Sequence, residues 1–240
     1  VYKLGGVQAI GAMAYGTESI PNVYKIFGPG NQYVQMAKQL VSLRDVAIDM
    51  PAGPSEVAVI ADADSNPDYV ASDFLSQAEH GADSQAILFT TSSEFAEKFK
   101  GVLDNQLEKL NRQELTRKSL EHSKIVICLD DEELMELVNE YAPEHLIIQT
   151  SNYTELAEKV RNAGSVFLGP YSPESAGDYA SGTNHTLPTN GYAKAYNGVN
   201  LDSYMRKVTF QEITREGLKT LGPVIEVMAA NEQLDAHKKA

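Results

Sequence analysis

The chain has 240 residues, 42% hydrophobic and 22% charged, which suits one or two packed domains and argues against wholesale disorder. With 33 acidic against 20 basic residues the net charge is -13, which disfavours nucleic acid and anionic membranes as partners, since both need local positive charge. The single cysteine, Cys128, excludes an intrachain disulfide and a Cys-based zinc knuckle, and no apolar run nears the ~18 residues of a membrane-spanning helix.

The opening Val1-Tyr2-Lys3-Leu4-Gly5-Gly6 has no initiator Met and no signal-peptide pattern, and reads as cut from something longer. Residues 6–15 and 31–43 have helical spacing, separated by Lys25-Ile26-Phe27-Gly28-Pro29-Gly30 and followed by an apolar run at 46–50. Five short apolar runs rich in Val and Ile come next, at 57–61, 86–90, 124–129, 146–150 and 165–168. They read as strands buried on both faces. Between them, helices are predicted from Asn66-Pro67-Asp68 to about His80, from Ser93 to about Leu110, over 130–141 and from Asn152 to about Ala163. This alternation predicts an α/β domain with a mostly parallel sheet. From about Asn200 two long helical patterns are predicted, near 201–221 and 223–239, with Gly222-Pro223 as stop and restart.

Polar residues concentrate in four places. In Ser76-Gln77-Ala78-Glu79-His80-Gly81, Gln77 and His80 are three apart on a helix and share a face, so they form a more natural ligand pair than Glu79 with His80. The same stretch also suits a polar helix end closed by Gly81. In Tyr141-Ala142-Pro143-Glu144-His145-Leu146 a carboxylate and an imidazole stand before a buried strand. Both serve one site only if they lie in a turn, which Pro143 favours. A histidine satisfied at a strand end is the alternative. The segment 172–189 is long for a structureless loop, and Asp178 and His185 within it could contact metal or substrate. The tail Glu232-Gln233-Leu234-Asp235-Ala236-His237 ends in a histidine that could simply favour a helix C-terminus, and His122 has no partner in sequence. Gly28-Pro29-Gly30-Asn31 begins like a phosphate-binding loop but lacks the third glycine and the following acid.

Together the segments 25–31, 49–57, 75–85, 141–150, 163–169, 172–189 and 234–240 resemble histidinol dehydrogenase, in that family's order and over nearly the whole chain. The resemblance implies a Rossmann-like, mostly parallel sheet with flanking helices, a partial second Rossmann-like segment at the N-terminus and a helical C-terminal tail. The division it suggests is 1–54 on the cofactor side, 55–199 for metal and substrate, and 200–240 for dimer contact. It further implies NAD-dependent oxidation of L-histidinol through L-histidinaldehyde to L-histidine at a zinc site, in a cytoplasmic homodimer. Gln77, His80 and Asp178 match three zinc ligands, and His237 matches the fourth, which the family takes from the partner subunit. Glu144 and His145 match the catalytic pair. Ser55, His185 and Glu232 match substrate contacts, as do His145 and the four ligands, and Gln8 and Asn31 match NAD contacts. Family members exceed 400 residues, so the chain is expected to represent a C-terminal portion. The rival expectations are a catalytically silent scaffold that dimerises and binds metal or histidinol without turnover, and a zinc hydrolase, which a Gln ligand suits less well.

Overall fold

The structure is a computed structural model that describes residues 1–44 and 46–240. Two compact units emerge, Val1–Ser203 and Tyr204–Ala240.

The first unit opens with α1 (Gly6–Tyr15), β1 (Lys25–Ile26), α2 (Gln32–Ser42) and β2 (Ala47–Ile48); the two strands pair in parallel. Asn31 caps α2 by accepting from the Tyr33 and Val34 N–H groups. Ile10, Ala14, Ile26, Val41 and Val46 form a small core. Inside it the fully buried Lys38 pairs with Asp49 and donates to the Gly28 carbonyl at 2.7 Å, while Asp49 accepts from the Gly28 N–H. These bonds hold the Gly28-Pro29-Gly30 turn against α2.

The main sheet follows the predicted alternation: β3 (Glu56–Ala61), α3 (Pro67–Ala78), β4 (Gln85–Thr90), α4 (Ser93–Leu107), α5 (Gln113–Leu120), β5 (Lys124–Ile127), α6 (Asp131–Tyr141), β6 (His145–Ile148), α7 (Tyr153–Ala157), β7 (Ser165–Leu168) and α8 (Glu174–Tyr179). All five strands are parallel in the order β5-β4-β3-β6-β7. Strands β3, β4 and β6 are buried on both faces as predicted, whereas β5 and β7 are edges and partly exposed. Side chains alternate across the sheet. Val57, Val59, Ala61 and Ile147 pack on α3 and α4 through Phe74, Phe95 and Phe99. Ala58, Ile60, Leu146 and Ile148 pack on Leu134, Met135 and Val138 of α6 and Leu156 of α7. By this alternation His145 shares the α3 side with Ile147.

Three sequence expectations need correction. The predicted helix over 152–163 is cut to Tyr153–Ala157 because the buried Asn139 of α6 accepts from the Arg161 and Asn162 N–H groups through Oδ1, drawing that backbone out of the helix. Helix α5 was not predicted, since its buried face carries Thr116 and Ser119 instead of an apolar stripe; Ser119 Oγ donates to the Ser84 carbonyl. The two helices predicted over 201–221 and 223–239 are instead a 3-10 turn at Leu201–Tyr204, an irregular stretch, α9 (Arg215–Asn231) and α10 (Asp235–Lys239). Thr214 sets the start of α9 by accepting from the Gly217 N–H, and Pro223 lies inside it. Gly222, which precedes Pro223, has no Cβ and so removes part of the clash that a proline imposes on the residue before it. The turn comes later, where Gln233 is left-handed (φ 61°) and the Leu234 N–H closes on the Ala229 carbonyl. In the second unit only Ala229 is buried; Leu218, Leu221, Ile225 and Met228 are exposed.

Candidate active site

Three local devices bring the polar residues of the first unit together. The C-terminal turn of α3 carries Gln77, and His80 follows just past the helix end, its N–H bonded to the Gln77 carbonyl. Helix α6 ends at Ala142 in the left-handed region (φ 52°), and the turn through Pro143 delivers Glu144 and then His145 as the first residue of β6. Helix α8 sets Glu174 and Asp178 one turn apart on one face. Two glycines allow close approach. A Cβ on Gly164 would lie 2.5 Å from the Glu144 carbonyl oxygen, and one on Gly177 would lie 2.5 Å from the Phe167 ring, beside which His145 packs at 6.1 Å between centroids.

His145 is buried, and its Nδ1 lies 3.2 Å from the Glu56 carbonyl oxygen. That partner can only accept, so Nδ1 carries the proton and Nε2 presents a lone pair. Nε2 has no hydrogen-bond partner. Burial first of all holds the imidazole down to about 4, so the ring is neutral across the ordinary range. The carboxyl groups of Glu144 and Glu174 lie 3.6 and 3.7 Å from Nδ1. Burial pushes both well above the carboxylate range; among nearby charges Asp178 acts on both in the same direction. Glu144 Oε2 accepts from the Glu56 N–H at 2.9 Å. The Glu56 side chain accepts from the Asn190 N–H through Oε1, leaves Oε2 unpartnered and is raised to about 7 by burial.

The fully buried Gln77 completes the cluster. With its amide oriented by its neighbours, the nitrogen donates to Glu174 and the oxygen accepts from the Glu56 N–H at 3.1 Å. His80, Glu174 and Asp178 each offer one nitrogen or oxygen ligand atom, all within 4.8 Å of one another, a donor set that suits zinc.

The structure therefore brings together Gln77, His80, Glu144, His145 and Asp178, with His185 in the neighbourhood of His145. Ser55 directly precedes Glu56 and is half-buried. Gln8 is exposed on α1 and Asn31 stands at the start of α2, both in the smaller half of this unit. Glu232 and His237 are exposed in the second unit. Sequence reasoning missed Glu174 and Glu56. Treating 172–189 as loop concealed the helical spacing that pairs Glu174 with Asp178, and Glu56 looked like an ordinary polar strand start.

The sequence model of the histidinol dehydrogenase family matches residues 1–240. The chain is 69% identical over its full length to the histidinol dehydrogenase of Bacteroides thetaiotaomicron and 55% identical to that of Haemophilus influenzae, covering 56% of each relative. The crystal structure of histidinol dehydrogenase from Elizabethkingia anophelis superimposes with a TM-score of 0.95 at 55% identity, over 99% of this chain and 55% of that one. The chain thus spans about half the length of the relatives it matches.

Proposed function

The chain belongs to the histidinol dehydrogenase family, and from that premise we propose that it carries the acid–base and metal-holding residues for NAD-dependent oxidation of L-histidinol, through the aldehyde, to L-histidine. The observation that carries the reading is His145: a buried imidazole with its proton directed to the Glu56 carbonyl and its Nε2 lone pair unpartnered. Leaving a buried polar atom without a partner costs about 1–3 kcal/mol, a cost that makes sense where a substrate supplies the partner. His145 Nε2 takes the alcohol proton in the first oxidation. In the second, Glu144 and His145 together take a proton from the water that hydrates the aldehyde. The raised affinity of Glu144 for protons suits it to that exchange.

Gln77, His80 and Asp178 would hold zinc, and Gln8 and Asn31 would contact NAD; the cap at α2 uses only Asn31 Oδ1, leaving its Nδ2 for a ligand. When bound, zinc would supply a Lewis acid that holds and polarises the substrate, and NAD would supply the hydride acceptor. Ser55, His185 and Glu232 would contact the substrate. Residues 1–54 would serve the cofactor, 55–199 metal and substrate, and 200–240 the contact with a second copy, whose His237 would supply a fourth ligand. The exposed apolar side chains of α9 support such a contact. A cytoplasmic location belongs to the same reading, as the family resemblance implies; no described helix is long and apolar enough to cross a membrane.

The test is zinc affinity, measured by competition with a chromophoric chelator. His80→Ala should weaken zinc binding strongly, and His122→Ala, which changes an exposed side chain on another loop, should leave it unchanged. Equal losses at the two positions would remove the metal assignment.

A further inference from the structure

Glu174 is 1% exposed and carries no role in the reading above. Two residues on one face of α3 adjoin it. Its backbone N–H lies beside the Asp73 carboxyl, and its own carboxyl accepts from the side-chain amide of Gln77, four residues further along the helix. The same carboxyl faces His145 Nδ1 at 3.7 Å.

A glutamine amide is close to symmetric in shape, so its neighbours decide which end points where. The Glu56 N–H can only donate and so takes the amide oxygen, which leaves the N–H₂ to Glu174, whose carboxyl offers an acceptor oxygen in either protonation state. Here that oxygen meets the Glu56 N–H, which also has Glu144 Oε2 at 2.9 Å. The Gln77 oxygen can therefore leave for a cation without leaving a buried N–H unpaired.

We propose that Glu174 is a positioning residue: it fixes the Gln77 amide with its oxygen free to ligate metal, and links that ligand to the Nδ1 side of His145. The inference rests on Gln77 being a metal ligand. Its rival is direct ligation by Glu174, whose oxygen lies within 4.8 Å of the ligand atoms of His80 and Asp178.

Zinc alone is the probe, titrated against a competing chelator on the full polypeptide, with the visible absorption of the cobalt-substituted protein as a second readout. Partners that orient a ligand are typically worth about 10–100-fold in metal affinity. Glu174→Gln should weaken zinc by that factor and alter the cobalt band, because the substituted amide can offer Gln77 either an oxygen or an N–H₂. Glu174→Asp, which draws the acid back by one methylene, should show the same loss and serves if the Glu174→Gln variant does not fold. The double variant Gln77→Ala/Glu174→Gln should bind zinc no more weakly than Gln77→Ala alone, since Glu174 acts through Gln77. Additive losses would make Glu174 a ligand and overturn the proposal, as would unchanged affinity in both single Glu174 variants while His80→Ala loses zinc. If His80→Ala also binds zinc normally, the metal site itself falls, and this inference with it.

Discussion

The two ends of the five-stranded sheet are built on opposite principles. At the carboxyl end of β3, Asp62 is fully employed: its carboxylate accepts from the Ser151 N–H and Oγ, from Ser65 Oγ and from the Asp64 N–H. At the amino ends of β3 and β6, Glu56 Oε2 and His145 Nε2 are buried without partners. Two neutral side-chain atoms past the end of β6, Gln149 Oε1 and Thr150 Oγ1, share that condition, but the titratable atoms in it among the described residues are the two at the amino end. In open α/β sheets ligands usually bind beyond the carboxyl ends of the strands, where the strand order reverses. Here that reversal falls between β3 and β6, and their carboxyl ends are closed by the Asp62 hydrogen bonds. The difference separates two uses of a polar group at a strand end. One with all its partners holds structure together, and one left open is available to a ligand.

The largest expected effect breaks the open end. His145→Gln keeps a polar side chain of similar reach but removes the basic nitrogen, and on the full polypeptide it should lower histidinol oxidation about 10²–10⁴-fold, measured as NADH formation. Thermal stability should change little, because the substitution removes a group that burial already disfavours in its charged form. A large loss of stability with activity retained per folded molecule would make His145 a structural residue.

Gly164→Ala sharpens the comparison from the backbone. The added Cβ would press on the Glu144 carbonyl oxygen at 2.5 Å, in the turn where the Gly164 N–H also bonds to the Pro143 carbonyl. A destabilisation of about 1–3 kcal/mol in urea unfolding is expected, with histidinol turnover falling as Glu144 is displaced. Wild-type values for both would show that the turn tolerates what its geometry forbids.

The smallest effect belongs to the closed end. Burial pushes the Asp62 carboxyl up, but the hydrogen bonds from Ser151, Ser65 and Asp64 outweigh it and hold the group below its ordinary 3.8. A depressed carboxylate contributes stability above its unfolded value and loses it as pH falls through the folded value, so the loss lies below about pH 4. Asp62→Asn should cost about 1 kcal/mol at neutral pH and reduce the acid sensitivity below about pH 4, with activity unchanged. An effect on turnover rivalling that of His145→Gln would erase the distinction between the two ends.

Much of the molecule was legible in the sequence, for local reasons. The five strand runs needed only a search for short, mostly apolar runs rich in Val or Ile, and the Asn66 cap sits where its side chain accepts from a first-turn N–H group. The three-residue spacing of Gln77 and His80, and the Pro143 turn before His145, were likewise local patterns. Tertiary structure alone decided that β6 lies beside β3, which sets the His145 ring against the Glu56 carbonyl from 89 residues away. It also decided that Asn139 would unwind the end of α7, that a polar-faced segment would become α5, and that Glu174 would meet Gln77. Helical and strand periods repeat every few residues and are written in neighbours. Strand order and the pairing of buried polar groups are settled by which distant surfaces exclude water together, and no window of sequence contains both partners.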